Sequence, residues 1–171
     1  MRILGIDPGT RIVGYGLVDC DRRGPSGVRG SGFEYVECGV IRLDATDVMP
    51  RRLLMLAEAL GEIIGEYDPA VMSLESAFHG VNASSALKLG QARGAIMLVA
   101  AQHGLPVAEY APALVKRSVV GHGRATKQDV QTRIKLLCRL AREPLSDAAD
   151  ALALALCHAQ LDMSFGTGRG A

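Results

Sequence analysis

Ser146-Asp147-Ala148-Ala149-Asp150-Ala151-Leu152-Ala153-Leu154-Ala155-Leu156-Cys157 reads as the acidic start of an apolar helix. Residues three apart share a helix face, so Asp147 and Asp150 leave the first turn in the same direction while the leucines fill an interior. Ser146 is a good N-cap, and the positive end of the helix dipole favours an acid in the first turn, which accounts for one acid better than for two. Two further acids, Asp7 and Glu75, close apolar strand-like runs. A sheet delivers such side chains to one edge, so the pattern raises a four-carboxylate site as the reading to test. Taken singly, each strand-end acid has an ordinary structural reading.

Working outward, Arg2 to Asp7 reads as a buried strand, Pro8-Gly9-Thr10 as a turn, and Ile12 to Val18 as a second strand. Gly14 and Gly16 are two apart and so share a face, which is left bare for close approach by another element. Residues 21–32, rich in Gly and Arg, form a loop, and Phe33 to Leu43 alternates as a third strand, giving an antiparallel meander. Arg51 to Tyr67 has helical apolar spacing and ends at Asp68-Pro69; Ala70 to Glu75 is a fourth strand. Strand, helix, strand is a crossover, so the fourth strand is expected parallel to the first. Residues 76–82 form a loop bearing Phe78. A long helix over 83–103 carries Gly90-Gln91-Ala92-Arg93-Gly94, a small-residue face that suits packing inside the monomer or across a dimer. A fifth strand over 106–110, a short helix over 113–120 and a basic loop at 121–125 follow. Thr126 with Asp129 makes a capping-box-like start to the next helix.

The 171 residues, nearly half of them apolar, suit one packed core, expected over residues 1–163 with a Gly-rich tail at 164–171. No apolar run is long enough to span a membrane, and the chain enters a strand at once with no signal peptide, so a cytoplasmic location is expected. Cys20, Cys38, Cys138 and Cys157 lack metal-ligand spacing and read as reduced packing residues, with disulfides formally open. The net charge of +1 hides a polarity: residues 1–87 sum to −4, 88–142 to +8 and 143–171 to −3. A basic block between acid-bearing segments fits a polyanion groove beside a cation site, or an ordinary solvated surface.

Four converging acids repel unless a cation sits among them. Hard divalent ions prefer oxygen ligands, and Mg²⁺ keeps positions open for water and phosphate oxygens. Two such ions suit phosphodiester hydrolysis, with nearby lysines supporting the charge of the transition state.

Four motifs in order, Gly5-Ile6-Asp7-Pro8-Gly9-Thr10, Leu74-Glu75-Ser76-Ala77-Phe78, Ala86-Leu87-Lys88-Leu89-Gly90-Gln91-Ala92-Arg93-Gly94 and Asp147-Ala148-Ala149-Asp150-Ala151-Leu152-Ala153, resemble the RuvC Holliday junction resolvases from Met1 to about His158. The resemblance implies an α/β, RNase H-like fold of the retroviral integrase superfamily, a five-stranded mixed sheet flanked by helices. It implies a homodimer that nicks four-way DNA junctions symmetrically in recombination and repair, supplied by the RuvA and RuvB branch-migration proteins. Carried over, Asp7, Glu75, Asp147 and Asp150 become ligands of two Mg²⁺ ions per site, with Mn²⁺ able to substitute, and Lys116 and Lys127 become phosphate contacts that support the transition state. Phe78 matches an aromatic that stacks on a base near the crossover. Lys88, Arg93, Arg117 and Arg124 are expected on DNA, and Arg117 departs from the family's usual Gln. Arg22, Arg23 and Arg29 face solvent or DNA.

Two rival readings belong to other classes. Gly5-Ile6-Asp7-Pro8-Gly9-Thr10 also resembles the first phosphate loop of actin-like and sugar-kinase ATPases, a fold that needs two related lobes. A junction-binding protein that does not cut would use the basic block alone.

Overall fold

A computed structural model describes residues 1–20, 32–76 and 82–165, the last four by backbone alone. Strand β1 (Arg2–Asp7) pairs antiparallel with β2 (Ile12–Cys20), and β2 with β3 (Phe33–Arg42). Helix α1 (Met49–Tyr67) crosses over to β4 (Val71–Glu75), which lies parallel to β1 as the crossover requires. Helix α2 (Ala83–Gln102) leads to β5 (Val107–Tyr110), parallel to β4. The order β3-β2-β1-β4-β5 makes one mixed five-stranded sheet, the architecture expected from the sequence. Among the described residues there is no second lobe of the kind a sugar-kinase ATPase needs. The basic loop with Arg22, Arg23 and Arg29 lies outside the described residues, as do Phe78 and residues 166–171.

Local chemistry sets the helix ends. Asp68 takes the left-handed conformation at φ 45° and its amide bonds the carbonyl of Ile64, so α1 stops where Asp68-Pro69 predicts. Gly104 at φ 65° follows the end of α2. Helices α3 (Pro112–Val120), α4 (Lys127–Leu137) and α5 (Ser146–Phe165) complete the chain. The capping box of Thr126 and Asp129 is present at α4. At α5 the expectation needs correction: the amide of Ala149 bonds the carbonyl of Leu145 at 2.8 Å, so Leu145 stands at the cap and Ser146 is the first helical residue.

The sheet divides the core. On one face Leu4, Ile6, Met72 and Leu74 pack against α1 and α2. On the other, Ile3, Val18 and Val71 pack against α3, α4 and the buried face of α5, in which residues 148–149 and 151–157 are all buried. This second layer is closely seated because its floor is nearly bare. A Cβ at Gly5 would fall 1.9 Å from the carbonyl oxygen of Ala151, one at Gly14 2.0 Å from that of Asp147, and one at Gly16 2.7 Å from Leu152. Ser73, opposite Gly5 in register, is fully buried and its hydroxyl donates to the carbonyl of Leu154 at 2.7 Å. The shared bare face of Gly14 and Gly16 read from their spacing is therefore the seat of α5. By contrast, Cβ atoms at Gly90 and Gly94 of α2 would meet nothing within 4 Å, so that small face does not pack inside the monomer.

None of the four cysteines forms a disulfide, and among the described residues no helix is long and apolar enough to cross a membrane. Gly14→Ala should lower stability by about 3 kcal/mol, because the added methyl meets helix backbone that has no side-chain freedom to yield. Gly65→Ala, in open space on α1, should raise it by about 0.5–1 kcal/mol. Urea unfolding of both variants checks the opposite signs.

Candidate active site

The carboxyl ends of β1 and β4 are neighbours in register, so Asp7 and Glu75 emerge side by side on the face that α5 covers. Gly14 and Gly5 let the start of α5 descend onto that same edge, bringing Asp150 to them. These three acids line one cleft of about 200 Å³ together with Lys116 of α3 and Lys127 of α4. The capping box fixes Lys127 at the first position of α4, where its Nζ lies 3.6 Å from Asp150 Oδ2. The segment before α5 is tied back to α4: Gln131 donates to the carbonyl of Pro144 at 2.7 Å, and Thr132 to the Glu143 carboxylate at 3.1 Å. The lysine helix and the aspartate helix are thus registered against each other.

The cleft is short of positive charge. Burial, then Asp150, Glu75 and Asp147 in turn, push the Asp7 carboxyl up from 3.8 to about 7 against the opposing pull of Lys127. Glu75 is raised chiefly by burial and then by Asp150, although Lys127, Arg93 and Lys116 oppose the shift. Asp150 is raised by burial in spite of Lys127. Carboxylates that stay raised beside lysines are under-neutralised, and an all-oxygen donor set of this kind suits a hard divalent cation. Among the described residues no group of three or more His, Cys, Asp or Glu is drawn closely enough together to hold a metal ion.

Not every expected site residue comes to this cleft. Asp147 does not line it, although it acts electrostatically on Asp7 and Asp150 and shares a face of α5 with the latter. Arg117, Arg124 and Lys88 are exposed, and Lys88 lies in the first turns of α2, whose residues 83–88 are all exposed. Phe78 lies outside the described residues. Arg93, expected on DNA, is corrected by its burial: only 7% exposed, its guanidinium donates to the carbonyl of Glu75 and to the Glu109 carboxylate. Ser73 and Glu109 escaped the reading of the sequence. A serine midway along an apolar strand, and an acid inside a four-residue strand, are the signals that point to them.

Comparison with known proteins places this chain in a family. The model of the family described as crossover junction endodeoxyribonuclease RuvC matches residues 3–158. The chain is 46% identical over 156 residues to the crossover junction endodeoxyribonuclease RuvC of Shewanella amazonensis, covering 91% of this chain and 85% of the relative. It is 48% identical to that of Shewanella frigidimarina over the same shares. Among solved structures, Thermus thermophilus RuvC in complex with a Holliday junction substrate superimposes with a TM-score of 0.86 at 29% identity, over 96% of both chains. The yeast mitochondrial Holliday junction resolvase, at 13% identity and a TM-score of 0.63, shares the fold alone.

The raised Asp7 has a consequence for stability. Between about pH 4 and pH 7 the folded chain holds a proton on Asp7 that the unfolded chain releases, so stability falls as pH rises through that window and the full penalty stands above it. In chelator-containing buffer Asp7→Asn should therefore stabilise the protein, and by more at pH 8 than at pH 5, the difference being on the order of 2 kcal/mol. Thermal melts at the two pH values check it, and an equal gain at both would show that Asp7 titrates normally.

Proposed function

The chain belongs to the RuvC family of crossover junction endodeoxyribonucleases, and from that premise we propose that it resolves four-way DNA junctions by paired nicks in strands of like polarity. The observation that carries this reading is the convergence of Asp7, Glu75 and Asp150 with Lys116 and Lys127 on one cleft. A protein that only bound junctions would have no use for three partly buried, under-neutralised acids beside its basic surface.

Asp7, Glu75, Asp147 and Asp150 are the residues that would hold the divalent cations, proposed as two Mg²⁺ ions for which Mn²⁺ can substitute. When bound, such cations supply Lewis-acid activation of water and neutralise charge on the scissile phosphate. The chain's own cations do the rest. Lys116, partly buried in the cleft wall, sets a fixed positive charge beside the acids, and Lys127, mostly exposed, offers its ammonium to a nonbridging phosphate oxygen. Exposed Lys88, Arg117 and Arg124 provide backbone contacts that hold the arms without reading sequence, and Phe78 stacks on a base at the crossover.

A four-way junction carries two equivalent strands to be cut, so a two-fold dimer presents two sites in matching orientation. The outer side of α2 supports that reading, since Leu87, Met97 and Leu98 are exposed there beside Gly90 and Gly94, which face open space. RuvA and RuvB are the proposed suppliers of the junction, the cytoplasm the proposed location, and residues 1–163 the resolvase domain with 164–171 as its tail.

Incubation with Mg²⁺ and a synthetic four-way junction, beside linear duplex and an RNA–DNA hybrid, should give symmetric nicks on the junction alone. Cutting of the hybrid in preference would overturn the substrate assignment. Asp147→Asn should abolish cutting while junction binding survives. Lys116→Ala and Lys127→Ala should each slow cutting by about 100-fold. Each should also flatten the salt dependence of binding by a slope of about 1 per lost phosphate contact, so an unchanged slope would place that lysine away from DNA.

A further inference from the structure

Glu75 ends β4, and the direction of its peptide is fixed by its neighbours. The amides of Met72 and Ser76 both bond carbonyls on the β5 side, at 2.9 Å to Pro106 and 2.8 Å to Tyr110. Strand groups alternate, so the N–H and C=O of Glu75 point the other way, towards β1. Ile6 pairs with Leu74, and the next step of a parallel ladder would bring the amide of residue 8 to the carbonyl of Glu75. Residue 8 is proline and has no amide hydrogen. The peptide that carries a cleft acid would thus be left with an unpaired carbonyl at the end of the sheet.

Arg93 fills that vacancy from the opposite layer. It projects from the buried face of α2 with Ala92 and Ile96, and its Nη1 donates to the carbonyl of Glu75. Its Nη2 donates to Glu109 Oε2 at 2.9 Å, and Glu109 stands opposite Leu74 in the β4–β5 ladder. The guanidinium is held at both ends and bridges the last residue of β4 and the next-to-last of β5. Its planar fork suits two simultaneous acceptors in a way that a lysine ammonium does not.

We infer that Arg93, braced by Glu109, is a positioning residue for Glu75: it supplies the donor that Pro8 withholds and so fixes the backbone from which the Glu75 carboxylate enters the cleft. Arg93 touches neither substrate nor reacting atoms in this assignment. The link to ion binding rests on the proposed role of Glu75 as a ligand, whereas the bracing of β4 does not.

The test uses the full chain with Arg93→Met, Arg93→Lys and Glu109→Gln. Hydrogen exchange of the DNA-free, ion-free protein should show the Ser76 amide exchanging faster in Arg93→Met by about tenfold, as the loss of a charge-assisted bond implies, while amides in the middle of α5 stay unchanged. Arg93→Lys should recover only part of this, and Glu109→Gln should show a smaller effect of the same kind. Calorimetric titration with Mn²⁺ should show half-saturation of Arg93→Met moved upward by about 10-fold, the size typical of losing a residue that orients a ligand. Exchange that rises evenly throughout the protein, or is unchanged at Ser76, would overturn the brace. A local rise in exchange without any shift in Mn²⁺ half-saturation would overturn its link to the carboxylate. If the parent protein itself binds no Mn²⁺, the functional reading falls and the exchange result alone decides the brace.

Discussion

The contact on which the rest of this structure depends is that between the backbone of α5 and a nearly bare face of the sheet. Helix-on-sheet layers are ordinarily held apart by two sets of side chains. Here Gly5, Gly14 and Gly16 remove one set, and Ser73 replaces it with a hydrogen bond to the helix carbonyl of Leu154. The helix sinks until its first turn is level with the ends of β1 and β4. Only at that depth can an acid of α5 share a volume with Asp7 and Glu75. An alanine at any of these floor positions would lift the helix, and with it one side of the site.

That proximity is electrostatically unfavourable, and the surrounding elements are arranged around the strain. Burial and mutual repulsion raise the acids, while Lys127 and Lys116 arrive from separate helices and offset only part of the effect. The lysines are placed by local devices, a capping box at α4 and the ties from Gln131 and Thr132 to the segment before α5. The cleft therefore combines anionic groups ready for a cation with cationic groups ready for a phosphate. A phosphodiester accompanied by divalent ions satisfies both, which is why family membership and geometry lead to one reading.

Helix α2 shows how one sequence motif can serve two layers. Its inner face buries Arg93 against the end of β4, and its outer face leaves Gly90, Gly94, Met97 and Leu98 open. Apolar residues on both sides give the helix no strong amphipathic signal, so its periodicity alone does not say which face is inward. The basic residue inside Gly90-Gln91-Ala92-Arg93-Gly94 is expected on DNA from the family resemblance and is a buried structural cation in the fold.

Much of the architecture was legible in the chain itself because its signals are local. Alternation marked the strands and the acids that close β1 and β4, spacing by two set Gly14 and Gly16 on one face, and spacing by three set Asp147 and Asp150 together. Turn and cap residues at Asp68, Gly104 and Thr126 act within a few positions of themselves. The tertiary structure decided what local spacing cannot encode: that Asp150 rather than Asp147 lines the cleft, that Leu145 and not Ser146 caps α5, that Lys127 pairs with Asp150, and that Arg93 turns inward. Each of these is settled by how deeply one element docks on another or by a partner distant in sequence, and a pattern of neighbours along the chain carries no measure of that depth.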